Sequence, residues 1–136
     1  FHIVGIDKQN TDNLFYYGYL DQKNYLPILD KCRICIGTLA AYRKRLLECS
    51  PLKVREYLSY GFPIIIGYND TMFNDLKDIP DWVLKIDTSL PLNYQEIEEF
   101  IKSNCDRVVN IQEIDKLISV NVIEKKRLDF LQGLLA

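Results

Sequence analysis

Three short, largely apolar runs, each closed by glycine, constrain this chain most: Phe1-His2-Ile3-Val4-Gly5, Arg33-Ile34-Cys35-Ile36-Gly37 and Pro63-Ile64-Ile65-Ile66-Gly67. None keeps the strict apolar–polar alternation of a strand with one wet face. Strands of this kind have to be covered on both sides, and helix-forming stretches separate them. The combination implies an α/β fold: a Rossmann-like parallel sheet with helices on both faces, joined by right-handed crossovers. Two more strands are expected, from Leu14 to Tyr17 and from Trp82 to Ile86.

Helix signals fall between the strands. Asp21 is placed to cap a helix whose Tyr25, Leu26, Ile28 and Leu29 form an apolar stripe; Pro27 fits it only within the first turn. Ser50-Pro51 reads as N-cap and first helical position of a helix running to about Tyr60, with Gly61 closing it. Residues 38 to 49 form a long connection before it. Asn69-Asp70-Thr71 caps a short helix or turn. Two helical segments finish the chain, Tyr94 to Ser103 and Ile111 to Leu135, the second breaking so that Asn121 caps a restart at Val122. Lys125, Lys126 and Arg127 are assigned to its wet face, opposite Ile123, Leu128, Leu131 and Leu135.

With 136 residues, 48% of them hydrophobic, the chain suits a single domain over residues 1 to 136. Seventeen basic against nineteen acidic residues leave −2, which argues against a general nucleic-acid binder. No apolar run approaches the ~20 residues that span a bilayer, and no secretory leader is seen. A soluble, cytoplasmic protein is expected, with peripheral association at the inner face of the membrane open to the full-length chain. Cys32 and Cys35 form a C-x-x-C inside an apolar strand, Cys49 and Cys105 are isolated, and His2 is the sole histidine. These are expected to be structural thiols, not a zinc site or redox pair, and no metal is implied. Phe1 already opens a strand without an initiator methionine, so the chain is expected to be cut from a longer protein.

In a parallel α/β sheet, ligands bind beyond the carboxyl ends of the strands. The candidate loops are Gly5 to Asp7, Gly18 to Asp21 and Gly37 to Ser50. The last leads into the Ser50-Pro51 helix, whose first N–H groups and partial positive charge suit a phosphate, with Lys53 adding a full charge. Glu48 and Glu56 flank that feature. Each carboxylate offers two acceptor oxygens, enough for both hydroxyls of a vicinal diol such as ribose or a hexose presents.

The stretch from Glu48 to Ile65, reading E-C-S-P-L-K-V-R-E-Y-L-S-Y-G-F-P-I-I, resembles the E-x7-E segment of group 1 glycosyltransferases of the GT-B fold. Its S-P-L-K-x-x-E-Y-L-x-x-G-x-P-I-I wording is typical of one branch of that family. Upstream, Ile3-Val4-Gly5 resembles the second strand of the family's C-terminal domain, and Phe15-Tyr16-Tyr17-Gly18-Tyr19-Leu20 its base-binding strand and loop. The similarity covers residues 1 to 67 in order and spacing.

The resemblance implies the C-terminal, nucleotide-sugar-binding domain of a GT-B enzyme, without its first strand and its N-terminal acceptor domain. It assigns Glu56 to the ribose hydroxyls and Glu48 to the transferred sugar, near the reacting centre. It assigns the diphosphate to amides around Ser50, Pro51 and Leu52, with Leu52 and Lys53 the better donors because proline has no N–H. Gly5 and the loop at Tyr19, Leu20 and Asp21 complete the nucleotide-sugar site, the loop holding the base through main chain. The chain departs from the pattern at Cys49-Ser50-Pro51, where many members carry Phe-Gly. The family's basic pair on the diphosphate is expected to lie before the segment seen here, and Arg43 and Lys44 do not match it.

The implied activity is retaining transfer of a hexose from a UDP- or GDP-sugar, with neither metal nor cofactor, to an acceptor held by the other domain. The fragment alone is expected to be inactive. Two alternatives stay open: a non-catalytic α/β regulatory or interaction module, and a nucleotide-sugar epimerase domain.

Overall fold

In the computed structural model, which describes residues 1–135, every paired strand runs parallel to its neighbour. The protein is α/β, built from small parallel sheets and helices, and divides into two compact units that meet in sequence between Arg33 and Ile34.

In the first unit, β1 (His2–Ile3) pairs with β2 (Phe15–Tyr16). Bonds from the Phe15 amide to the Phe1 carbonyl (2.8 Å) and from the Tyr17 amide to the Ile3 carbonyl (3.0 Å) extend the ladder. The expected buried strand from Phe1 to Gly5 is instead largely exposed, Phe1 at 67% and Val4 at 41%. A two-stranded ladder this short covers little of its own surface. Its rings stack on one another, with His2 centred 5.4 Å from Phe15 and 5.7 Å from Tyr17.

Asp21 caps α1 (Gln22–Leu29) as expected, its carboxylate accepting the Asn24 amide at 3.0 Å. Pro27 lies well inside this helix, not in its first turn. The correction has a simple cause. Proline removes one bond, to the Lys23 carbonyl in the exposed first turn, where water can serve instead.

The second unit begins with β3 (Cys35–Ile36), a 3-10 turn at Ala41–Lys44 and β4 (Glu48–Cys49). Then come α2 (Leu52–Ser59), β5 (Ile64–Ile66) and β6 (Asn69–Asp70), a 3-10 turn at Thr71–Phe73, and β7 (Val83–Lys85). Three helices follow: α3 (Tyr94–Asn104), α4 (Ile111–Ile118) and α5 (Val120–Leu134). The sheet order is β3-β5-β7, and β4 pairs separately with β6.

The apolar Ile64-Ile65-Ile66 run is satisfied by cover on both faces of β5. Ile66 lies beside Val54 of α2 around Gly37, whereas Ile65 clusters with Phe100 and Ile97 of α3. Val54, Leu58, Ile64, Ile66 and Ile114 are wholly buried, so the α2 side carries the tightest packing.

Gly61 ends α2 as its sequence position implies. At φ +79 it lets the Gly61 amide reach the Leu58 carbonyl (2.8 Å) and the Phe62 amide the Tyr57 carbonyl (3.1 Å), a Schellman pair that turns the chain into β5.

Two helix starts differ from expectation. Pro51, not Ser50, is the N-cap of α2 and makes no side-chain cap bond, since its ring has no acceptor; the Ser50 hydroxyl, one residue further out, accepts from Arg55 instead. Ser119, not Asn121, caps α5: its backbone is extended and its hydroxyl accepts the Val122 amide at 3.4 Å. On α5 the basic residues lie on a wet side as expected: Lys126 and Arg127 are half-exposed or more and pair with Asp75 and Glu124, each at 2.6 Å. The correction concerns the opposite, apolar side, where Leu128 and Leu131 are more than half-exposed as well.

Candidate functional site

The first turn of α2 sits at the carboxyl ends of β3 and β5, and Gly37 is what allows it. A Cβ at Gly37 would stand 2.9 Å from Ile66 and 3.0 Å from Val54, so any side chain would push helix and sheet apart. The loop ends are knitted together above. The Gly67 amide donates to the Thr38 carbonyl at 3.1 Å, and the Thr88 hydroxyl donates to the Leu39 carbonyl.

Five of the expected site residues fall along one continuous stretch of this unit. Glu48 is exposed on β4, in register with Asn69. Leu52 is 84% exposed in the opening turn of α2. Lys53 is exposed next to it, yet desolvation by its surroundings lowers its ammonium pKa. Glu56 is half-buried one turn beyond Leu52 and shares its helix face. Ser50 is exposed, but its hydroxyl is already an acceptor.

The other expected residues belong to the first unit, where they adjoin one another. The Gly5 amide donates to the Gly18 carbonyl at 2.6 Å, placing Gly5 beside the Tyr19–Asp21 loop. Tyr19 is 92% exposed, Leu20 is half-buried, and the Asp21 carboxylate is occupied as the α1 cap.

A polar network behind the α2 start was not anticipated. Arg55 grips the fully buried Asp70 side chain with two nitrogens, Nη1 at 2.9 Å and Nη2 at 2.5 Å, and Nη2 also donates to Ser50 Oγ at 2.8 Å. Asp70 further accepts the Met72 amide at 3.1 Å and the Tyr68 hydroxyl at 3.2 Å. Burial, then the adjacent Asp70 carboxylate, raise the Tyr68 phenol well above its ordinary range. The sequence signal is partial: it marks Asp70 as a cap but does not show its distant arginine.

Ser50 and Arg55 also line a cleft of about 380 Å³, with Thr71, Met72, Leu117, Ile123, Lys126, Arg127 and Phe130 forming the rest. Glu48, Leu52, Lys53 and Glu56 lie outside that lining. Among the described residues, no group of three His, Cys, Asp or Glu side chains is arranged to hold a metal ion. All four cysteines are free thiols. No described helix is long and apolar enough to cross a membrane.

No protein-family model matches the chain, and neither does any curated protein or solved structure.

Proposed function

We propose that this chain is the nucleotide-sugar-binding half of a retaining glycosyltransferase of Rossmann-like GT-B build, moving a hexose from a UDP- or GDP-sugar to an acceptor bound by a second domain. The observation that carries the reading is the S-P-L-K-x-x-E segment, together with the position of its helix. The first turn of α2 opens at the carboxyl ends of two parallel strands, and no side-chain cap covers its leading amides. The double cover of β5 supports the layered architecture.

The chemistry follows from that placement. When the bond from sugar to diphosphate breaks, negative charge grows on the leaving phosphate. Amides of Leu52 and Lys53 at the helix start, and the Lys53 ammonium, are preorganised to stabilise it without reorganisation. Glu56 takes the ribose diol, and Glu48 contacts the transferred sugar. The role of this half is thus to hold the donor and orient its leaving group, while the acceptor domain completes the site by closure.

Thermal shift with UDP, GDP and inorganic phosphate tests the class of function. A rise in melting temperature specific to one nucleoside diphosphate is expected. No rise with either nucleotide would favour an interaction module instead.

A further inference from the structure

The cleft between α2, the Thr71–Phe73 turn, α4 and α5 has a lining divided by chemistry. Met72, Leu117, Ile123 and Phe130 are apolar, whereas Ser50, Thr71, Arg55, Lys126 and Arg127 are hydroxyls and cations. No carboxylate lines it. Each cation is held by an acid, but with donors to spare. Arg55 commits three guanidinium N–H bonds, to Asp70 and Ser50, out of five. Lys126 commits one bond of its three, to Asp75, and Arg127 one of its five, to Glu124. The pairs of Lys126 and Arg127 are half-exposed or more, so water competes with them and an incoming anion displaces them readily.

We propose that this cleft binds an amphipathic anion: a small apolar body seated on Met72, Leu117, Ile123 and Phe130, with a phosphate-type head at Lys126, Arg127 and Arg55. A volume of about 380 Å³ falls at the lower end of small-molecule sites, which suits a short-tailed ligand rather than a long chain. Surplus donors on three cations, with no carboxylate in the lining, select a negative head, and the four apolar residues distinguish the ligand from free phosphate. Ser50 is the only residue shared with the donor site, so this cleft stands independently of the nucleotide-sugar reading.

Titration calorimetry with hexyl phosphate, inorganic phosphate and hexan-1-ol tests it. Hexyl phosphate is expected to bind saturably and more tightly than either fragment. The double variant Lys126→Gln/Arg127→Gln, at exposed positions, is expected to weaken it roughly tenfold, the effect of losing hydrogen bonds to a charged group at an exposed site. Phe130→Ser is expected to weaken it while leaving inorganic phosphate unaffected. Lys53→Gln, which removes the cation assigned to the donor diphosphate and lies outside this cleft, leaves hexyl phosphate binding unchanged, which separates this cleft from the donor site. Hexan-1-ol binding as tightly as hexyl phosphate, equal affinity in the double variant, or no saturable binding would each overturn the proposal.

Discussion

Arg55 and Asp70, fifteen residues apart in sequence, meet as a two-point ion pair whose acid is completely enclosed. The pair joins the middle of α2 to β6, and through the Ser50 hydroxyl it also holds the segment leading into the helix. The α2 start is therefore positioned by an interaction behind it and not by its own cap.

Removing one member should be costly. Arg55→Met leaves a buried carboxylate without its cation, with an expected loss of about 3 kcal/mol or more in urea unfolding. Arg55→Met/Asp70→Asn, which removes both charges but keeps an acceptor for the Met72 amide and the Tyr68 hydroxyl, should recover much of that loss. A single variant as stable as the parent chain would show that the pair does not hold the segment.

Tyr68 gives the same network a pH signature. Its phenol is raised by burial and by Asp70, so the folded chain keeps the proton after the unfolded chain has released it. Its contribution is full below the ordinary phenol pKa of about 10 and declines as pH rises above it, by up to about 1.4 kcal/mol per pH unit. Tyr68→Phe should remove that component. Stability curves for the two proteins with the same slope above pH 10 would contradict the assignment.

Gly37 tests the seating of α2 on the sheet. Its missing Cβ would be 2.9 Å from Ile66 and 3.0 Å from Val54, both wholly buried. Gly37→Ala should therefore cost about 1–3 kcal/mol as overpacking, measured by chemical denaturation. If α2 also presents the diphosphate site, the same variant should weaken nucleotide binding. A neutral substitution would mean that helix and sheet separate without penalty.

The C-x-x-C should behave as two quiet thiols. Cys35 is buried, and burial raises the Cys32 thiol above its ordinary pKa. Slow labelling of both by an aromatic disulfide reagent near pH 8 in the native state, and prompt labelling in denaturant, is expected. Rapid native reaction of Cys32 would point to a redox role.

Local chemistry made much of this fold legible. Asp21 capped a helix because an extended aspartate before a helical stretch has few other uses, and Gly61 ended one because φ +79 is strained for other residues. Glycine-closed apolar runs marked β3 and β5, and the cover on both sides of β5 follows from Ile64-Ile65-Ile66 having no polar face. Long-range partners were not legible. Ser50 has a typical N-cap side chain, but Arg55 claims its hydroxyl. That competition depends on Asp70, fifteen residues downstream of Arg55, which no local pattern reveals. Helical periodicity places Lys126 and Arg127 on an exposed face, as found, but cannot show that Asp75 pairs with Lys126 or that both cations line the cleft. For the site itself, Glu48 to Glu56 could be read as one stretch, whereas the Arg55–Asp70 support beneath it could not.

The donor-binding proposal depends most on the acid at 56. Titration calorimetry of UDP and GDP into the parent chain and into Glu56→Gln measures it directly. One nucleotide should bind the parent and bind the variant roughly tenfold or more weakly, since a charge-assisted bond to a ribose hydroxyl is lost. Undiminished affinity in the variant would remove Glu56 from the ribose, and heat-silent titrations of both nucleotides with no competing evidence of binding would contradict the glycosyl-transfer reading.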